Sequence, residues 1–146
     1  ATTLREAGFD VDVVDDMDAW LATHTVFIAG VGAAILTAGG AAQLGGDKTA
    51  TTRMLLSIRE GFASLKRHAI PVTPAGLRTI FTRVPRVFSV PYWQKHMRGD
   101  LGTLGLEPHI KATQETEFPL IAAGARRLAP DAQRLMAALQ AAGFPA

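Results

Sequence analysis

A chain of 146 residues that is 48% hydrophobic and 19% charged is long enough to bury one core and too apolar to be disordered. It has no cysteine, which excludes a disulfide framework, a thiolate metal site and a cysteine nucleophile. The net charge is only +2, and acidic and basic residues alternate along helix faces, so nucleic acid is not an expected partner.

In chain order, the opening ATTLREAG has neither the basic nor the apolar region of a secretory leader, and a cytoplasmic location is expected. Residues 8–14, GFDVDVV, alternate apolar and acidic side chains and predict a short linker or edge strand. From Ala19 to Gly46 there is then no Asp, Glu, Lys or Arg, and His24 is the only ionisable side chain. Such a run is a membrane span, a strand entering a phosphate-binding turn, or a buried helix. The most apolar part, Val26 to Leu36, is too short to span a bilayer, and no cation anchors the run until Lys48. Gly30-Val-Gly32 departs from the dinucleotide fingerprint at Ile35, where a small residue is needed.

The buried helix fits best, and no membrane is an expected partner. Asp15 or Asp16 can cap it, Asp18 suits its first turn, and Gly39-Gly40 can end it. Met17, Trp20, Leu21, His24, Phe27, Ile28, Val31 and Ile35 follow the helical i, i+3, i+4, i+7 template and are expected to face inward. Gly30, Gly32, Ala33 and Ala34 would let a neighbouring backbone come close.

Asp47 can cap a second helix over Lys48 to Ala69, with Met54, Leu55, Ile58, Phe62 and Leu65 inside and Arg53, Arg59 and Lys66 reaching solvent. Pro71 and Pro74 separate it from two short helices over Gly76 to Met97, broken near Pro85 and Pro91. The aromatic residues there, Phe81, Phe88, Tyr92 and Trp93, form either core packing or a partner surface. Gly99 to Gly105 reads as a loop. A helix follows from Pro108 to Leu128, kinked at Pro119, and Pro130-Asp131 opens a last helix carrying Leu135, Met136 and Leu139. The expected fold is all-α: one domain, 1–146, with six or seven helices around a long central one.

Two ionisable residues fall on predicted inward faces. Glu117 aligns with Ile110, Thr113, Leu120, Ile121, Gly124 and Leu128, and His24 lies in the central helix stripe. A carboxylate buried without a partner is strongly disfavoured, so the two either satisfy each other or contact a polar ligand. A histidine is a suitable proton donor near neutral pH, and a pocket carboxylate can orient a hydroxyl. One His and one Glu are too few for a metal, and His68, His96 and His109 show no convergent spacing. Ser57, Ser64 and Ser89 lack a nucleophile-elbow context.

Three segments resemble the helical C-terminal domain of the ketopantoate reductase (2-dehydropantoate 2-reductase) family. LREAGFDVDVVDDMDAWLATH is similar to that family's entry into its central helix. MLLSIREGFASLKRHAIPVTP is similar to its second long helix and exit, and the run from Thr116-Glu117-Phe118-Pro119 to Gly124 to its T-E helix. The resemblance implies reduction of a small 2-keto acid with NADPH, as in pantothenate biosynthesis. It further implies an N-terminal Rossmann domain, not contained in this chain, that holds the cofactor, and a homodimer. No cofactor is expected on this chain alone.

The family's T-E glutamate, a substrate-binding residue, falls on Glu117. Its catalytic lysine and two asparagines fall at Leu21 or Ala22, Thr25 or Val26, and Ala29 or Gly30, none of which matches. His24 is therefore the candidate catalytic proton donor, with Glu117, Thr25 and Thr116 as candidate substrate contacts. The alternative is a non-enzymatic helical module that binds a ligand or a partner.

Overall fold

The computed structural model describes residues 2–9 and 15–145, so most of the predicted extended segment lies outside the described residues. The described residues form nine α-helices and one π-helical segment, with no strand. In order these are α1 (Thr2–Glu6), α2 (Met17–Ala38), α3 (Ala41–Gly46), α4 (Lys48–Arg67), α5 (Ala75–Thr82), α6 (Arg86–Arg98), the π segment (Leu101–Leu106), α7 (Glu107–Thr113), α8 (Phe118–Leu128) and α9 (Gln133–Ala141). The all-α expectation holds, with more and shorter helices than six or seven.

Helix α2 is the central element, 22 residues and about 33 Å long. It starts where Asp16 accepts a hydrogen bond from the Ala19 N–H at 2.9 Å. It ends at Gly39, whose φ of +83° is a left-handed conformation that glycine adopts without strain. By length and composition it could cross a bilayer, but half of its most apolar window is buried inside the fold.

The buried side of α2 matches the sequence expectation only in part: Val31 and Ile35 are fully buried as expected, whereas Met17, Leu21 and His24 are exposed. The buried residues are Ala19, Ala22, Thr23, Val26, Ala29, Gly30, Val31, Gly32, Ala33 and Ile35. Met17 and Leu21 are each about half exposed, and Trp20, Phe27 and Ile28 only partly buried. A side chain at Gly30 would collide with Ile58 of α4, and one at Gly32 with Phe118 of α8. A Cβ on Gly61 of α4 would lie 2.5 Å from Val26. The helices thus dock on a face where Gly30 and Gly32 accept large side chains from α4 and α8, with Val26, Val31 and Ile35 fully buried alongside.

These contacts set the directions. Gly30 meets Ile58 while Val26 meets Gly61, so α4 runs antiparallel to α2. Gly32 meets Phe118 while Thr25 meets Gly124, so α8 is antiparallel as well. Helix α9 is antiparallel to α4: the Arg134 N–H donates to Glu60, Leu135 lies near Gly61, and Asp131 meets Ser64 and Arg67. The predicted stripe of α4 is fully buried; Phe62, with Phe81 and Phe118, is among the largest enclosed side chains. Each such side chain contributes about 1.5–3 kcal/mol. Arg59, expected to reach solvent, instead donates to the carbonyls of Phe81 at 2.5 Å and Val84 at 3.0 Å, holding the end of α5.

The expected helix Pro108–Leu128 is two helices, interrupted by a turn at 114–117. The break comes before Pro119, which occupies the first turn of α8, where its missing N–H is not needed. Restarting the helix resets its phase. Phe118, Ala122 and Ala125 become the inward set, and Leu120 is exposed. Pro91 lies inside α6 without ending it, and the predicted loop 99–105 mostly coils into the π segment, where Gly102 presses against the Met97 backbone. Helix α3, unforeseen in the sequence, begins at Gly40, which has no capping side chain. Glu107 supplies the cap from 66 residues away: its Oε2 accepts from the Ala41 N–H at 2.7 Å while its Oε1 accepts from Lys111 at 2.5 Å. The Lys111 and Ala41 bonds hold its carboxyl below the usual range.

Adding one methyl group at Gly32 forces Phe118 out of its seat. Gly32→Ala is expected to destabilise the fold by about 1–3 kcal/mol in urea denaturation. Gly76 in α5 faces open space, and Gly76→Ala is expected to stabilise by about 0.4–1 kcal/mol through the less flexible unfolded chain.

Arg67, and after it Ser64, donate to the Asp131 carboxylate and hold its pKa well below the ordinary range. A depressed carboxylate stabilises the fold above its unfolded pKa of about 3.9, and that contribution fades as pH falls below this value. Urea curves should therefore separate Asp131→Asn from the parent at pH 6 and bring the two together toward pH 2.

Candidate functional site

The uncovered face of α2 carries Met17, Leu21 and His24, with Trp20 beside them. Trp20 and His24, one helical turn apart, stack with ring centroids 4.7 Å apart and planes 7° from parallel. From His24 an aromatic ladder runs into the core. Phe27 is 6.1 Å from His24 and meets Phe81 edge-on at 5.7 Å and Trp93 at 6.1 Å. The ladder returns to the surface on α6, where Trp93 lies 6.5 Å from His96 and Tyr92 packs on His96 at 4.2 Å. Of the aromatic-rich segment, Phe81 and Trp93 are core while Phe88 and Tyr92 are exposed. The core-packing reading of that segment therefore holds for Phe81 and Trp93. The Trp93 indole N–H and the Ser89 hydroxyl, one turn apart on α6, are buried without a hydrogen-bond partner.

His24 does not face inward as the helical template suggested; it is exposed. One ring face is nevertheless covered by Trp20. Loss of water there disfavours the imidazolium, so its pKa is lowered from the ordinary 6.5. Near neutral pH the ring is mainly uncharged, a hydrogen-bond partner or proton acceptor more than a reservoir of protons.

Thr25 is partly buried, and its hydroxyl donates to the Leu21 carbonyl at 2.8 Å, leaving its lone pairs available. Thr116 lies exposed in the 114–117 turn, its N–H donating to the Thr113 carbonyl. Glu117 is exposed too, at the N-terminal boundary of α8, where the partial positive charge of the helix end favours a carboxylate. Its inward placement was an artefact of extending one helical phase through the break.

The fold does not bring His24 and Glu117 together. Phe118, next to Glu117, seats at Gly32, eight residues beyond His24 on α2. At 1.5 Å per residue the two groups are offset by about 12 Å along the helix. Thr25 follows His24 in the sequence but turns toward Gly124 of α8, about 100° around the helix, so the four candidate residues do not converge on one site.

Among the described residues no group of three or more His, Asp or Glu side chains could hold a metal. The residues present do not fit a dinucleotide either. Gly30-Val-Gly32 lies in the middle of α2, where backbone N–H groups bond within the helix and a phosphate would meet Ile58 and Phe118 instead of open amides. Compared with protein-family models, curated proteins and solved structures, the chain matches none.

The Trp20 stack makes the His24 ring measurable by NMR. Its titration midpoint is expected below 6.5, and Trp20→Ala is expected to move it up toward 6.5 as water returns to the ring face. An unchanged midpoint would place the desolvation elsewhere.

Proposed function

We propose that this chain is the helical substrate-side and dimerisation domain of a ketopantoate-reductase-like oxidoreductase that reduces a small 2-keto acid with NADPH in the cytoplasm. The observation that carries the reading is the open stripe on α2. Helices α4, α8 and α9 cover its small-residue face, and the stretch left uncovered is Met17, Leu21 and His24. That stretch belongs to the segment similar to the family's entry into its central helix. A cofactor-binding domain docking there would meet His24 first.

In this reading the cofactor belongs wholly to the other domain, and this chain offers one wall of the cleft. The neutral imidazole of His24 hydrogen-bonds the substrate's polar group, and Trp20 and Leu21 exclude water; Thr25, turned toward Gly124 of α8, lies off this stripe. Glu117 and Thr116, about 12 Å along α2, contact the substrate only if it or the docked domain spans that distance.

The test uses the complete polypeptide that contains this chain. NADPH-dependent reduction of a 2-keto acid is expected, with kcat falling about a hundredfold in His24→Ala while the melting temperature is unchanged. Light scattering on the same sample should give twice the monomer mass. Turnover by the 146-residue chain alone, or full activity in His24→Ala, would overturn the proposal.

A second reading, a non-enzymatic module that binds a partner protein, is favoured by the exposed side chains Val87, Phe88 and Tyr92 of α6. It would prevail if the complete polypeptide contained no glycine-rich dinucleotide-binding unit.

A further inference from the structure

The other end of α2 carries a feature that this reading leaves unused. Between the last turns of α2, α3, the first turns of α4 and the last turns of α9 lies an open groove of about 690 Å³. Its walls are mainly alanine, with Ala34 and Ala38 from α2, Ala50 from α4, and Ala138 and Ala141 from α9; Met54 forms part of the α4 wall. The helix spacing is set elsewhere, by Leu135 and Leu139 in the core and by the Ser64–Asp131–Arg67 and Glu60–Arg134 contacts, so the short alanine side chains leave space unfilled. A groove of this volume is the size of small-molecule sites, roughly 300–1,000 Å³.

The charges around it indicate what it would hold. Asp47 is committed: its carboxylate caps α4, accepting from the N–H groups of Thr49 at 2.7 Å and Ala50 at 3.1 Å. Arg134 lies 3.8 Å from Glu60. Arg53 is exposed and, among the described residues, makes no hydrogen bond or ion pair. The uncommitted charge on the rim is thus a guanidinium, whose planar fork of N–H donors matches a carboxylate.

We propose that this groove binds a small amphiphile with an apolar body and one carboxylate, of the medium-chain fatty-acid class. The carboxylate pairs with Arg53, and the apolar body lies along the alanine walls between α2 and α9. Ala34 is ten residues, about 15 Å, beyond His24, so the site is separate from the open stripe and does not depend on the proposed oxidoreductase role.

Dodecanoate titrated into the full chain by calorimetry is expected to bind saturably at one site. Arg53→Gln, an exposed substitution, should weaken it about tenfold with no change in melting temperature. Dodecanol should bind more weakly than dodecanoate to the parent and equally to both proteins. Ala138→Leu fills the groove and should abolish binding. The proposal fails if dodecanoate does not saturate, or if Arg53→Gln binds it as the parent does. It fails too if the chain is a dimer that Ala138→Leu dissociates, since the groove would then be a seam between copies.

Discussion

The seating of large side chains in glycine notches on one face of α2 is the constraint from which the other arrangements follow. Gly30 admits Ile58, Gly32 admits Phe118, and Gly61 on the opposing helix admits Val26. Dispersion contacts fall off steeply with separation, so a helix pair gains most where a large side chain of one helix fills the space left by a missing Cβ on the other. With α4 and α8 on that face, Val26, Val31 and Ile35 are buried with it, and Met17 and Leu21 are left on the other side. The exposed Met17 and Leu21 and the half-buried Trp20 are consequences of the packing and not exceptions to it.

That constraint also explains which parts of the fold were legible in the sequence. Helix α4 was readable in detail because its charged and apolar residues separate cleanly; Asp47 began it and the stripe from Met54 to Leu65 is buried as read. The ends of α2 were readable because Asp16 and Gly39 act through local backbone chemistry. Its inward face was readable only in part: Val31 and Ile35 are buried and Gly30 and Gly32 admit neighbours, but hydrophobic periodicity also turns Met17 and Leu21 inward, and they are exposed. Helix α3 was hidden for another reason. Its N-terminal N–H groups are satisfied by Glu107, a partner that no local pattern could supply. The turn at 114–117 carries no glycine or proline of its own; Pro119 marks the start of α8 instead of a bend within a longer helix.

The candidate site inherits these errors in a definite way. His24 and Glu117 were both singled out as polar residues on apolar faces, and both are exposed. For His24 the correction leaves the residue chemically distinctive, because Trp20 covers one side of its ring while the other meets solvent. For Glu117 the correction removes the reason for which it was chosen, and what remains is the resemblance of the Thr116-Glu117-Phe118-Pro119 run.

The two ends of α2 solve the same packing problem differently. At the amino-terminal end large aromatic residues crowd a surface, and the ladder from Trp20 through Phe27 and Trp93 to His96 fixes their rings against one another. At the carboxyl-terminal end small residues face small residues, Ala34 and Ala38 against Ala138 and Ala141, and space is left between helices that are held apart elsewhere. Because Gly30 and Gly32 lock the middle of the helix to α4 and α8, a ligand at one end has no evident lever on the other. The two surfaces are best understood as independent, joined by a rigid axle.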